Sequence, residues 1–289
     1  MSSATRRLLA WYRPRRRAYP WRGSSDPYAV LVSEVMLQQT QAARVAPAYE
    51  RFLARFPTVR ALAGAKRSEV LRAWAGLGHN RRPVALSEAA RAIDGRGGGV
   101  PSTVEDLVAL PGVGPYTAAA VASIAFGAPV PAIDTNVARV VARVRLGAEA
   151  SDVATGSIRR EAEAWLSRTD AGTWNQAVMD LGREVCRPRP RCERCPLARD
   201  CRAIADGVAP PRPPRPRSRF EGSSRQLRGS IVRVLRDRPA STIAALESAT
   251  GFGSAEVRRV LGDLHRDGVV VAGPAALAGR ERGRVRLAD

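Results

Sequence analysis

The sequence predicts an all-α protein with a small C-terminal module of mixed character, on three observations. Apolar residues recur at helical spacing through the first 207 positions, with no convincing alternating strand before residue 265. A stiff, basic, proline-rich stretch, 208–224, then separates that region from 225–289. The last segment holds three helical patterns followed by two β-prone runs, Val269-Val270-Val271 and Gly283 to Leu287, with arginine-rich sequence between them. That is the order of a winged helix-turn-helix, a module that binds DNA or packs on a partner.

Taken in order, Asp26-Pro27 is an N-cap with proline at the first helical position, opening a helix that runs to about Thr40. Further helices are expected near 44–55, 68–75, 83–93, 103–110, 115–126, 136–146, 156–168 and 173–185. In the module they are expected at 226–236, 241–249 and 254–266. The most apolar stretch, Thr117 to Ile133, is broken by Gly127, Pro129 and Pro131, so it reads as a buried helix and not a membrane span. Met1 to Leu9 lacks the apolar core of a secretory signal.

Composition narrows the chemistry. The formal net charge of +20 is spread along all 289 residues, which points to a polyanionic partner, nucleic acid first. Arginine-biased coding is the competing explanation, since Lys66 is the only lysine. A Schiff base needs an amine, and Lys66 and the N-terminus are the only sources. His79 and His265 are the only histidines, too few for a histidine-based zinc site or a triad. All four cysteines fall between 186 and 201, which indicates a metal centre in a reducing compartment, hence the cytoplasm.

Four motifs carry chemistry. In Leu110-Pro111-Gly112-Val113-Gly114-Pro115-Tyr116-Thr117, two glycines form a hairpin between helices. The free amides of the second helix, around Gly112, Val113, Gly114 and Thr117, then suit a phosphate. In Ser33 to Thr40, Glu34 interrupts an apolar run. A carboxyl in an apolar pocket stays protonated and donates its proton, although a helix carboxylate with a local partner is an equal reading. Gln38 and Gln39 can read a base edge or fill a gap in a base stack. Asp134, in Ile133-Asp134-Thr135-Asn136, caps a helix and also offers a second carboxylate to a cationic sugar. Finally, Cys186-x5-Cys192-x2-Cys195-x5-Cys201 reads as the ligand loop of an iron–sulfur cluster, with a structural zinc as the alternative.

Together these motifs resemble the helix-hairpin-helix base-excision glycosylases with an iron–sulfur loop, and the MutY-type adenine DNA glycosylases in particular, over residues 8–205. The resemblance implies a six-helix barrel, about 27–131, beside a [4Fe-4S] cluster domain built from 1–26 and 132–207. It implies a monomer clamping duplex DNA that contains a lesion or mismatch, in the bacterial nucleoid. By similarity, Glu34 protonates a flipped adenine opposite 8-oxoguanine or guanine and then assists water, while Asp134 stabilises the sugar cation. Arg16, Trp21, Leu37, Gln38, Gln39 and Gln176 match positions lining the base pocket or the DNA gap. Tyr116 stands where the endonuclease III lyases carry their lysine, so no efficient β-lyase activity is expected. Three departures stand out. The first cysteine gap has five residues where the family usually has six, the winged-helix-like module replaces the domain that inspects 8-oxoguanine, and His79-Asn80 replaces a wedging tyrosine. Each leaves room for another target base: a modified adenine, hypoxanthine, or mismatched thymine or uracil; the alternative outside the enzyme class is a non-catalytic DNA-binding protein using the hairpin and winged helix.

Overall fold

A computed structural model describes residues 1–208, 219–278, 280 and 282–289. Most of the 208–224 linker expected from composition lies outside the described residues. The chain forms two compact units, Met1–Glu34 with Val100–Arg215, and Val35–Gly99 with Pro216–Asp289. The grouping cuts across the expected bounds, with its first break inside a helix.

The first unit contains α1 (Ser3–Tyr12), most of α2 (Pro27–Leu37), α7 (Val104–Val108), α8 (Pro115–Phe126), α9 (Thr135–Val141), α10 (Thr155–Trp165), α11 (Ala171–Glu184) and α12 (Arg202–Ala205). A π turn, Ala142–Leu146, continues α9, so the helix expected over 136–146 is there in two conformations. The core gathers Leu8, Tyr12, Val137, Val141, Trp165, Trp174, Val178 and Leu181 from α1, α9, α10 and α11. Trp165 and Trp174 meet edge to face, with ring centroids 5.4 Å apart. α9 and α11 approach so closely that a Cβ on Gly182 would meet the Asn136 Cβ at 2.8 Å and its carbonyl oxygen at 3.0 Å. Only glycine permits that approach.

The second unit contains α3 (Ala42–Arg55), α4 (Val59–Ala63), α5 (Arg67–Ala73), α6 (Arg81–Asp94), α13 (Ser224–Asp237), α14 (Ile243–Thr250), α15 (Ser254–Arg266) and the short α16 (Pro274–Leu277). Its sheet has the order β1-β3-β2, from Ser241–Thr242, Val270–Ala272 and Arg284–Leu287. Both pairings are antiparallel, with Val270 opposite Leu287 and Ser241 opposite Val285. β1 corrects the expectation of no strand before 265; two residues are too short to show alternation. The module's core continues into Leu71 of α5 and Val84 of α6, which are buried with Ile231, Val257, Leu264 and Val285. Arg67 donates to the Gly268 carbonyl at 3.3 Å and Ser68 to Asp289 at 3.1 Å. Asp267 accepts from both Arg81 and Arg228. These contacts are why 35–99 groups with the C-terminal residues.

Helix α2 stops at Leu37, three residues short of the expected end. Gln39 turns left-handed with φ 55°. The carbonyls of Val35, Met36 and Gln38 are taken by the Arg82 guanidinium at 3.0, 2.9 and 2.6 Å, a cap that no local pattern reveals. Helix α4, absent from the sequence reading, is five residues long and capped by Thr58, whose hydroxyl accepts the Ala61 amide.

Candidate functional site

In the first unit, α2, α8, α9 and α11 bring Glu34, Tyr116, Asp134 and Gln176 to one region. Glu34 is 6% exposed, in the apolar face of α2 beside Val30 and Leu31. Its Oε2 accepts the Tyr116 hydroxyl at 3.0 Å. Burial raises its carboxyl above the ordinary value and the nearby Asp134 charge adds to the rise, while the Tyr116 bond and Arg22 pull the other way. Tyr116 is raised well above its own ordinary value, first by burial and then by Glu34, so it remains a neutral phenol and a donor. Its oxygen also lies 3.1 Å from Met179 Sδ.

Asp134 has the capping role expected of it. Oδ1 accepts the amides of Asn136 and Val137 at 2.8 and 2.7 Å, and Oδ2 accepts Asn136 Nδ2 at 2.8 Å. The carboxylate is thus held by three donors on the first turn of α9, half-buried.

Sequence reasoning missed a polar chain beside these groups. Arg22 donates to the Tyr12 hydroxyl at 2.7 Å and to Asp180 at 3.0 Å. Tyr12 donates in turn to Gln176 Oε1 at 2.9 Å. A guanidinium has only donors, so Tyr12 must accept from Arg22 and send its single proton onward. That fixes the Gln176 amide with its oxygen on Tyr12 and its NH₂ directed away. Gln176, Met179 and Asp180 share one face of α11 by their i, i+3, i+4 spacing, the only trace of this chain in the sequence. Gln176 and Arg16 line a cleft of about 270 Å³ with Ser24, Asp170 and Thr173. Glu34 and Trp21 are not among its walls. Trp21 is 6% exposed and stacks on Tyr19 at 4.9 Å.

The hairpin lies between α7 and α8. Gly112 has φ 73°, as the turn requires. Gly114, expected to need the same freedom, instead caps α8 in extended backbone, with nothing within 4 Å of where its Cβ would stand. Gly112, Gly114 and Pro115 are exposed, whereas Val113 and Thr117 are buried.

The four cysteines line one cavity of about 370 Å³, with Val144, Leu181, Val185 and Ala203 on its apolar walls and Arg143, Glu149 and Arg191 also lining it. Among the described residues no three Cys, His, Asp or Glu side chains converge as one metal ion requires. A zinc ion holds four sulfurs at about 2.3 Å from a single point. Four thiols lining one cavity can together hold a metal centre. Arg143 braces the loop through the Arg187 and Pro188 carbonyls at 2.6 and 3.1 Å, and pairs with Glu149 at 2.7 Å.

The remaining predicted residues belong to the second unit. Leu37 and Gln38 are half-buried at the end of α2, Gln39 and His79 are exposed, and Asn80 precedes α6. His79 is left-handed with φ 49°. Partial desolvation of the ring and the charges of Arg82 and Arg225 keep its imidazole below the ordinary value, hence neutral at physiological pH.

Comparison with known proteins decides the family. A family profile described as "HhH-GPD superfamily base excision DNA repair protein" matches residues 32–167. An adenine DNA glycosylase of Mycolicibacterium smegmatis is 41% identical, the match covering 98% of this chain and 99% of that one. The chain belongs to the adenine DNA glycosylase family. The human adenine DNA glycosylase is 44% identical over 68% of this chain and 38% of its own. The mycobacterial adenine DNA glycosylase thus matches through the C-terminal module, while the human match covers a shorter part. Among solved structures, a thermostable thymine-DNA glycosylase superposes with TM-score 0.65 and 30% identity, covering 70% of this chain and 95% of that one. Endonuclease III trapped on DNA shares the fold, with TM-score 0.59 at 22% identity over 72% of this chain and all of that one. The helix-hairpin-helix glycosylase fold expected for adenine DNA glycosylases is therefore the fold of this chain.

Proposed function

We propose that this adenine DNA glycosylase family member removes adenine mispaired with 8-oxoguanine or guanine from duplex DNA, as a monofunctional hydrolase acting on a flipped base. The observation that carries the reading is the buried Glu34, held by the Tyr116 hydroxyl close to Asp134. A protonated Glu34 gives its proton to a ring nitrogen of adenine; the N-glycosidic bond breaks, and its electron pair leaves with the base. The Asp134 carboxylate faces the sugar cation that remains. Water then adds at the sugar carbon as the Glu34 carboxylate takes its proton. Gln176, oriented by Tyr12, offers its NH₂ to an acceptor on the base. Tyr116 has no amine, so the sugar stays attached to DNA and no β-lyase step follows.

Gly112, Gly114 and the α8 amides serve the phosphate backbone, the open space at Gly114 suiting close approach. Leu37, Gln38, Gln39, His79 and Asn80 serve the opened base stack. A [4Fe-4S] cluster on Cys186, Cys192, Cys195 and Cys201 fits the shape of their cavity better than zinc does, and would brace the arginine-rich loop against phosphates. No helix among the described residues is long and apolar enough to cross a membrane, and we assign the enzyme, as a monomer, to the cytoplasm on the nucleoid.

The test uses end-labelled duplexes with adenine opposite 8-oxoguanine, guanine, cytosine or thymine, plus inosine, N6-methyladenine and uracil substrates. Strands are scored after alkali, with Glu34→Gln as control. Glu34-dependent cleavage restricted to adenine opposite 8-oxoguanine or guanine supports the proposal. Preference for another base overturns the substrate, and tight binding with no Glu34-dependent product overturns the chemistry.

A further inference from the structure

Arg82, on the first turn of α6, is 9% exposed, yet no carboxylate lies against it among the described residues. Burial alone lowers its guanidinium to about 10, so it stays cationic at neutral pH. Neutral oxygens surround it. Nη1 donates to the carbonyls of Val35, Met36 and Gln38 at 3.0, 2.9 and 2.6 Å. Nη2 donates to Thr40 Oγ1 at 3.0 Å and to the carbonyls of Leu77 and Gly78 at 3.2 and 3.3 Å. The cation lies 5.4 Å from the Trp74 ring centroid, and Trp74 Nε1 donates to the same Gly78 carbonyl at 3.1 Å.

One prong of the fork therefore serves the turn after α2, and the other bridges it to the turn before α6. Each turn carries one left-handed non-glycine residue, Gln39 with φ 55° and His79 with φ 49° (the latter beside left-handed Gly78), and among the described residues no other non-glycine adopts that backbone. Both side chains are exposed. Left-handed backbone costs an ordinary residue on the order of 1 kcal/mol or more and persists only where its surroundings hold it. Burying an unpaired cation is also costly, and it is relieved here by carbonyls at the end of α2 and in the two turns, by the Thr40 hydroxyl and by the Trp74 ring. Two costly arrangements that support each other, with polar side chains exposed at their tips, mark a built element.

We propose that Arg82 is a positioning residue that locks the Gln38–Thr40 and Gly78–Asn80 turns into one two-pronged element, so that Gln39 and His79 enter the DNA base stack together. Arg82 itself touches no DNA. The inference rests on the glycosylase reading above in taking DNA as what the prongs engage. The four Nη protons of Arg82 are shared among six oxygens on two sides, whereas lysine's three protons sit on one nitrogen and cannot span them.

The experiment compares full-length wild type, Arg82→Lys and Arg82→Ala on a duplex with 2-aminopurine beside the target adenine. Melting temperature, duplex affinity, the fluorescence rise as the stack opens, and the single-turnover excision rate are recorded. Arg82→Lys is expected to bind duplex within a few-fold of wild type, to lose the fluorescence rise, and to excise about 100-fold more slowly, the scale of a ~1 Å misplacement. Methylguanidinium at millimolar concentration is expected to restore part of the rise to Arg82→Ala. A variant with native melting and a wild-type rise and rate overturns the proposal. So does parallel loss of melting temperature and rate in both variants without guanidinium rescue, the mark of a merely structural residue. A wild type that opens the stack but excises no adenine would defeat the glycosylase reading and leave the Arg82 comparison intact.

Discussion

At the residue scale, Glu34 shows how environment converts an ordinary carboxylate into an acid. Its carboxyl is raised by burial, so the folded protein binds this proton more tightly than the unfolded chain does. The group's stabilising contribution is whole at acid pH and is lost as pH rises from the unfolded value, about 4.3, to the raised folded one. Glu34→Gln escapes that loss. It is expected to melt higher than wild type at pH 7, with the gap closing toward pH 4, while excision falls by about 10²- to 10⁴-fold. The wild-type single-turnover rate is expected to decline as pH rises through the Glu34 transition, because the acid form is the active one; a rate that climbs instead would remove Glu34 as the proton donor. Tyr12→Phe breaks the relay from Arg22 to Gln176 and frees the amide to turn over. One net hydrogen bond is worth about 1 kcal/mol, so kcat/KM on adenine is expected to fall roughly fivefold to tenfold, with the pH profile unchanged. Glu34 and Asp134 were legible in the sequence because a carboxylate among apolar residues and an Asp before a helix are local patterns. Arg22, Tyr12, Asp180 and Arg82 were not, since an arginine among 47 Lys and Arg residues carries no signal until its partners are known.

At the element scale, the site depends on how closely α9 and α11 approach. Gly182 faces Asn136 so tightly that any side chain must push α9 outward, carrying the Asp134 cap with it. Gly182→Val is expected to destabilise the first unit by about 1–3 kcal/mol and to reduce excision beyond what the stability loss explains. Thermal melting beside single-turnover kinetics measures both, and a stable, fully active variant would refute the coupling. Helix α2 makes the complementary point. Its start was readable from Asp26-Pro27, since Asp26 Oδ1 accepts the Tyr28 amide at 3.1 Å. Its end was not, because the capping group is a guanidinium more than forty residues along the chain.

At the scale of the whole molecule, the C-terminal module forms one packed body with residues 35–99. Leu71 and Val84, 2% and 5% exposed, share a buried cluster with residues of α13, α15 and the sheet. A chain ending at Gly207 is expected to bind a hydrophobic dye and to melt several degrees lower than the full chain, each 1 kcal/mol being worth roughly 2–4 °C at this size. Equal melting of the two chains would show that the module contributes nothing to that core. The match of the mycobacterial relative along nearly its full length agrees with a module that belongs to the fold.

By itself the sequence determined the helical class, the hairpin, the cysteine loop, the two carboxylates and the family, because each is written in short spacings that local geometry obeys. Helical periodicity, capping residues and Cys-x2-Cys need no knowledge of what lies across the molecule. Tertiary structure alone decided which distant groups meet: the Arg22–Tyr12–Gln176 relay, the Arg82 clamp on two left-handed turns, and the union of the module with α5 and α6. Among those contacts are ones between residues 44, 164 and 221 positions apart. Their worth comes from burial and from the pairing of donors with acceptors, which exist only once the chain has closed on itself.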